Sequence, residues 1–193
     1  MFAAFIKGLS RSAIRFRSSK HFALCSKGAT AVEFALVAAP FFALLIALLQ
    51  TALVFFAGRV LDEATEEASR YIMTGQAQNG NMTQSGFENY LCDSSNTATL
   101  VSSLFTCSKL MVNVESYSDF ASASTGTPTL TFGSNGTVSN TWSYSPGNPG
   151  DIVVVQVMYQ WPIVLGPLGF DLANLSNGNR LLISTAVFKN EPY

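Results

Sequence analysis

Histidine is almost missing from this chain: His21 is the only one among 193 residues. The one dense acidic group, Asp62, Glu63, Glu66 and Glu67, therefore has no imidazole near it, and no Cys/His ligand spacing occurs elsewhere. It reads as a solvated helix face, with no metal site. A phosphate-binding glycine loop and a nucleophile elbow are also lacking, so the sequence supports no catalytic residues, no cofactor and no small-molecule substrate. Charge is scarce at 12% and unevenly placed. No acidic residue precedes Glu33, whereas Lys7, Arg11, Arg15, Arg17, Lys20 and Lys27 place 6 of the 11 basic residues before position 29. After that point 5 basic residues face 12 acidic ones, a net charge of −7. An acidic body excludes nucleic acid as a partner, because that surface needs a basic footprint.

The longest gap in charge is Phe34 to Gly58, 25 residues interrupted only by Pro40, Gln50 and Thr51 among otherwise apolar or small side chains. As a helix it extends roughly 37 Å, enough to cross a hydrocarbon core of about 30 Å. A core helix of a soluble domain would carry a polar stripe, and this run has none. Lys and Arg stay cytoplasmic, so the chain reads as a single-pass membrane protein whose C-terminal part emerges on the far side. Pro40 removes one helical hydrogen bond and either bends the span or sits harmlessly near its start. The leader is no ordinary secretory signal, because the apolar run follows the small-residue site where a signal peptide would place it before. Leu24 before Cys25, with no apolar stretch upstream, argues against lipidation, and Cys25 is expected to stay a reduced thiol.

Three segments follow: a basic leader over 1–28, a transmembrane and amphipathic helix over 29–75, and an exported α+β domain over 76–193. Past the apolar run, Leu61, Ala64, Ala68, Tyr71 and Ile72 keep helical spacing while Asp62, Glu63, Glu66, Glu67 and Arg70 fill the other positions, and Gly75 caps the arm. Arg59 with Glu63 and Glu66 with Arg70 are expected i,i+4 pairs. A small helix is expected between Cys92 and Cys107. Period-2 alternation then predicts strands at Leu110–Val114, at Leu130–Phe132 and Val138–Tyr144 around a Gly133–Gly136 turn, at Ile152–Trp161, and at Leu181–Val187. Ser, Thr, Gly, Asn and Pro make up 23 of the 30 residues from Ala121 to Gly150, so apart from that hairpin this stretch is expected to be exposed and mobile. A long helix followed by successive strands predicts an α+β fold, a small antiparallel sheet packed on the amphipathic end of the helix. Cys92 and Cys107 lie on the exported side, where thiols oxidise. A bridge would close a 16-residue loop, worth about 3 kcal/mol in the chain-entropy model; the alternative is two separate buried thiols.

The most specific local signal is Gly28-Ala29-Thr30-Ala31-Val32-Glu33-Phe34, between the basic leader and the apolar run. It resembles the processing site of type IV prepilin-like proteins, in which a peptidase cuts after Gly and the fifth mature residue is Glu. Counted from Ala29, that residue is Glu33. Glycine suits entry to a protease at the membrane surface. A carboxylate at the head of a span needs a partner, and the new amine of a neighbouring subunit is one. The other reading of Glu33 is an acid interacting with the helix dipole at the interface.

With Ala31 to Leu36, the later Ala68-Ser69-Arg70-Tyr71-Ile72, Gly75-Gln76-Ala77-Gln78, the strand entry Gly150-Asp151-Ile152 and the terminal Asn190-Glu191-Pro192-Tyr193, the chain is similar to the TadE family. That resemblance implies a minor pseudopilin, processed by the Tad prepilin peptidase and working with other pilus-assembly subunits and pilins to make Flp-type adhesive pili. The alternative is an anchored, unprocessed periplasmic module whose Ser/Gly-rich loops contact a partner.

Overall fold

The computed structural model describes residues 26–92, 99–125, 129–164 and 169–193; the leader, with His21 and Cys25, lies outside them. The chain divides into two compact units, Met1–Phe42 and Ala43–Tyr193. Helix α1 is assigned from Ser26 to Met73 and continues through Pro40. Its end is set by Gly75, whose φ of 77° is the left-handed conformation glycine adopts without a Cβ penalty. The Gly75 N–H closes the helix on the Ile72 carbonyl at 2.9 Å.

Past that turn come α2 (Gln76–Asn79), α3 (Gln84–Cys92) and α4 (Thr99–Leu104), followed by a 3-10 turn at Cys107–Lys109. Helix α4 is the small helix expected between the cysteines. Helix α3 was not foreseen, although its signals are in the sequence. Thr83 caps it, its hydroxyl accepting the Gly86 N–H at 3.2 Å, and Phe87 and Leu91, one turn apart, are its buried residues.

Strands β1 (Met111–Tyr117), β2 (Ile152–Pro162) and β3 (Asn179–Lys189) form an antiparallel sheet in the order β1-β2-β3. The register puts Val112 opposite Val157 and Val114 opposite Val155, so one face is apolar. That face buries Val153, Val155 and Val157 in a single cluster with Val54, Ala57, Leu61, Ala64, Ala68 and Ile72 of α1 and with Phe87, Val101 and Phe105. The α+β reading is therefore correct, with the sheet on the amphipathic arm. The long β2–β3 pair runs lengthwise along the arm. At one end the Glu191 N–H donates to the Met73 carbonyl at 3.0 Å, and at the other the Gln50 amide donates to the Val164 carbonyl at 2.8 Å.

The Ser/Thr-rich stretch differs from expectation. The turn forms, with Gly136 at φ 72° and the Gly133 N–H on Thr137 O at 2.8 Å, but the expected strands shrink to one bridge, Phe132 to Val138. Side-chain amides here take the backbone groups a ladder would use: Asn140 accepts the Thr131 N–H at 2.7 Å and donates to Thr129 O at 2.8 Å. Tyr144 bridges in parallel to Val114, held by Val114 N–H to Ser143 O at 2.9 Å and Ser145 N–H to Val114 O at 2.8 Å. This segment thus covers the open edge of β1, which would otherwise invite pairing with another chain. Helix α5 (Phe120–Thr125) starts at Asp119, whose carboxylate accepts the Ser122 N–H at 2.8 Å. It places Ala123 over Ile152 and Val154 in a second small core on the outer face of the sheet.

Candidate functional site

The first two turns of α1 carry Gly28, Ala29, Glu33 and Phe34, so the helix begins slightly before the expected Ala29. The Ala29 side chain lies outside the described residues. Glu33 is exposed, and Phe34 is 72% exposed. A Cβ built on Gly28 would meet nothing within 4 Å. The fold itself therefore has no steric need for glycine there.

The surface that follows is apolar. Leu36, Val37, Leu44, Leu48 and Leu49 are exposed. The helix contains a window of mean hydropathy 2.5 of which 6% is buried. A core helix of a soluble domain hides most of such a window, and each exposed leucine left in water forgoes about 1.5–3 kcal/mol of burial. The helix is long and apolar enough to cross a membrane.

Among the described residues no group of three or more His, Cys, Asp or Glu side chains is placed to hold a metal. Asp62, Glu63, Glu66 and Glu67 line the arm, and Arg59 pairs with Asp62 at 3.8 Å where Glu63 was expected. Beside them Tyr71 and Tyr90 stack at 4.7 Å between ring centroids. Burial, then the charge of Glu67 and the neighbouring Tyr71, raise the Tyr90 hydroxyl above its usual range. On the sheet's outer face the Glu115 carboxylate accepts hydrogen bonds from Tyr117, from Ser143 at 2.9 Å and from Asn113 at 3.2 Å. Burial pushes Glu115 up, but these donors outweigh it and leave its carboxyl below the usual range. Tyr117 is pushed up to about 12, first by burial and then by the hydrogen bond to Glu115 and its charge. This network pins Ser143 to β1 and contains no nucleophile–base pair facing a cavity, so it reads as structural.

Cys92 and Cys107 are joined, with their Cα atoms 6.1 Å apart. The bridge ties the end of α3 to the turn before β1.

Segments far apart in the sequence also converge. Asn190, buried, donates its side-chain amide to Pro146 O at 2.8 Å and Asn148 O at 3.1 Å. The Gln78 amide donates to the same Pro146 O at 2.9 Å. Backbone bonds join Asn190 to Asp151 at 2.9 Å and Gly150 to Asn190 at 3.1 Å. The Tyr193 ring covers Gly75 closely enough that a Cβ there would come within 2.3 Å of it. Gly75 to Gln78, Gly150-Asp151 and the C-terminal four residues are thus one clasp at the far end of the arm. Residue spacing alone could not bring together segments as far apart as Gly75 and Tyr193.

Residues 28–70 match the family model described as TadE-like protein. The helical segment is similar to the TadE family. Its match begins at Gly28, takes in Glu33 and Phe34, and ends at Arg70 inside the arm. No curated protein and no solved structure matches the chain. A segment of this kind suggests a Tad pilus-related function.

Proposed function

We propose that this chain is a minor pseudopilin of a Tad-type pilus, anchored in the inner membrane with its α+β domain in the periplasm, and released from its leader by a prepilin peptidase cutting after Gly28. The observation that carries the reading is the coincidence of three features at one point. A basic leader ends, a glycine that the fold does not require follows, and a TadE-like helix with an exposed apolar surface begins there. Cleavage removes the six positive charges that hold the leader on the cytoplasmic side. What remains is an acidic domain on an apolar helix, which can pass sideways from lipid into contact with the helices of other pilus subunits. Glu33, at the head of that helix, then offers a carboxylate to the new amine of a neighbouring subunit, an ion pair favoured by the low dielectric there.

The test is N-terminal sequencing of the protein from cells making pili. Mature chains beginning at Ala29 are expected, and Gly28→Leu should leave the precursor uncut while the chain still folds and inserts. An intact leader in piliated cells rules the reading out. Glu33→Ala should insert and be cut normally but lower pilus yield; unchanged pili would remove Glu33 from assembly.

A further inference from the structure

The periplasmic domain is not held clear of the bilayer: we infer that its Trp161–Val164 segment is itself inserted into the outer leaflet. The inference rests on the membrane-anchor reading above and on one contact, the Gln50 amide donating to the Val164 carbonyl at 2.8 Å. Gln50 lies 16 residues after Phe34 and 8 before Gly58, the two ends of the uncharged run. These are helical rises of roughly 24 Å and 12 Å. A hydrocarbon core of about 30 Å placed between the charges at Glu33 and Arg59 lies within that run. Even when the core starts as early as Phe34, its far boundary falls about 6 Å beyond Gln50. Placing it later, or tilting the helix, buries Gln50 deeper.

Whatever bonds to Gln50 therefore lies at hydrocarbon depth, and the chemistry of the segment suits that place. Val164 is 75% exposed, an apolar side chain left largely uncovered by the described residues. Leu53, Phe55 and Phe56 are exposed on α1 just past Gln50, so apolar surface continues at this level. Pro162 brings no N–H to satisfy. Trp161 is half-buried against Phe105, their ring centroids 5.7 Å apart, and an indole at this level belongs to the aromatic belt of a membrane interface. Irregular backbone in lipid is tolerated only when its polar groups are paired. Gln50 pairs the Val164 carbonyl, which gives a reason for an amide side chain inside an otherwise apolar span. The insertion depth, about 6 Å or more, is that of interfacial anchors.

The experiment is site-directed spin labelling of the full chain, with Cys25→Ser to remove the leader thiol, in vesicles of phosphatidylethanolamine and phosphatidylglycerol. Labels go on Val164→Cys, on Leu48→Cys within the span and on Ser134→Cys in the exposed Gly133–Gly136 turn. Collisions with oxygen, which concentrates in lipid, are compared with those of a water-soluble nickel chelate. The expected result is that Val164 and Leu48 both favour oxygen while Ser134 favours nickel. Three outcomes overturn the inference. A Val164 label that follows Ser134 while Leu48 stays in lipid leaves the anchor standing and removes the insertion. A Val164 label shielded from both reagents means that protein, such as a neighbouring subunit, covers the segment. A Leu48 label that favours nickel sinks the anchor reading along with it.

Discussion

Replacing Gly75 by alanine tests the clasp at the end of the arm, and its effect divides into two parts. Gly75 sits at φ 77°, where a side chain costs about 1–2 kcal/mol. The new Cβ would also lie 2.3 to 2.7 Å from three ring carbons of Tyr193, so the ring must leave. Tyr193 is 45% exposed, and losing the packing of its covered half costs about 1 kcal/mol. Gly75→Ala should therefore destabilise the domain by about 2–3 kcal/mol, and Tyr193→Ala by about 1 kcal/mol. In the double variant the ring is lost only once. Its destabilisation should match that of Gly75→Ala alone, leaving a coupling of about 1 kcal/mol. Guanidinium unfolding of the four proteins in detergent, followed by near-ultraviolet dichroism, measures the cycle. Strict additivity would refute the contact, and a Gly75→Ala protein as stable as the parent would refute the left-handed turn.

Three further outcomes are expected. Cys92→Ser with Cys107→Ser should lower stability by about 3 kcal/mol, and mass spectrometry of the unreduced parent should find the two joined; free thiols would contradict the bridge. Phe87→Ala, at the centre of the core contact made by α3, should cost about 3–5 kcal/mol, and a loss under 1 kcal/mol in a thermal melt would mean that α3 is not packed on the arm. Glu115 is held below its ordinary value of 4.5 by its three donors, so the unfolded chain binds the proton first. Its contribution is present above 4.5 and is lost as pH falls through the lower folded value. Glu115→Gln should flatten the stability profile in that acid window without abolishing it, since Asp119 is lowered in the same direction by its bonds from Ser122 and Ser118. An unchanged slope would remove Glu115 from the balance.

The legible parts of the fold are those whose period is long and whose burial is one-sided. Val153 to Trp161 alternates over a full strand, and the arm keeps its 3/4 spacing for three turns, so both were readable from the residues. The stretch from Ala121 to Gly150 was not, for a definite reason. Its serines, threonines and asparagines bond the backbone locally, and the edge cover that Ser143 to Ser145 form on β1 is held by Val114 and by Asn113. That residue is on another strand, and its side-chain oxygen accepts the Ser143 N–H at 3.0 Å. Helix α3 was missed for the opposite reason. A weak segment of nine residues is helical because Phe87 and Leu91 have a core to enter, and isolated helices of that length do not hold.

Two glycines show where the candidate site was legible and where it was not. At Gly75 the fold states its own requirement: a left-handed turn and an aromatic ring leave no room for a Cβ. At Gly28 it states none, because the position is helical and the space around it is open. A glycine in a helix costs roughly 1 kcal/mol against alanine, and nothing in the described residues recovers that cost. On the proposed reading the glycine serves a protease that needs an unhindered backbone at the membrane surface, and a cut there would leave the exposed carboxylate of Glu33 near the new end. The same reasoning applies to Gln50. An amide in an apolar run is a liability until the Val164 carbonyl is seen against it, and only the folded domain could reveal that partner, 114 positions away.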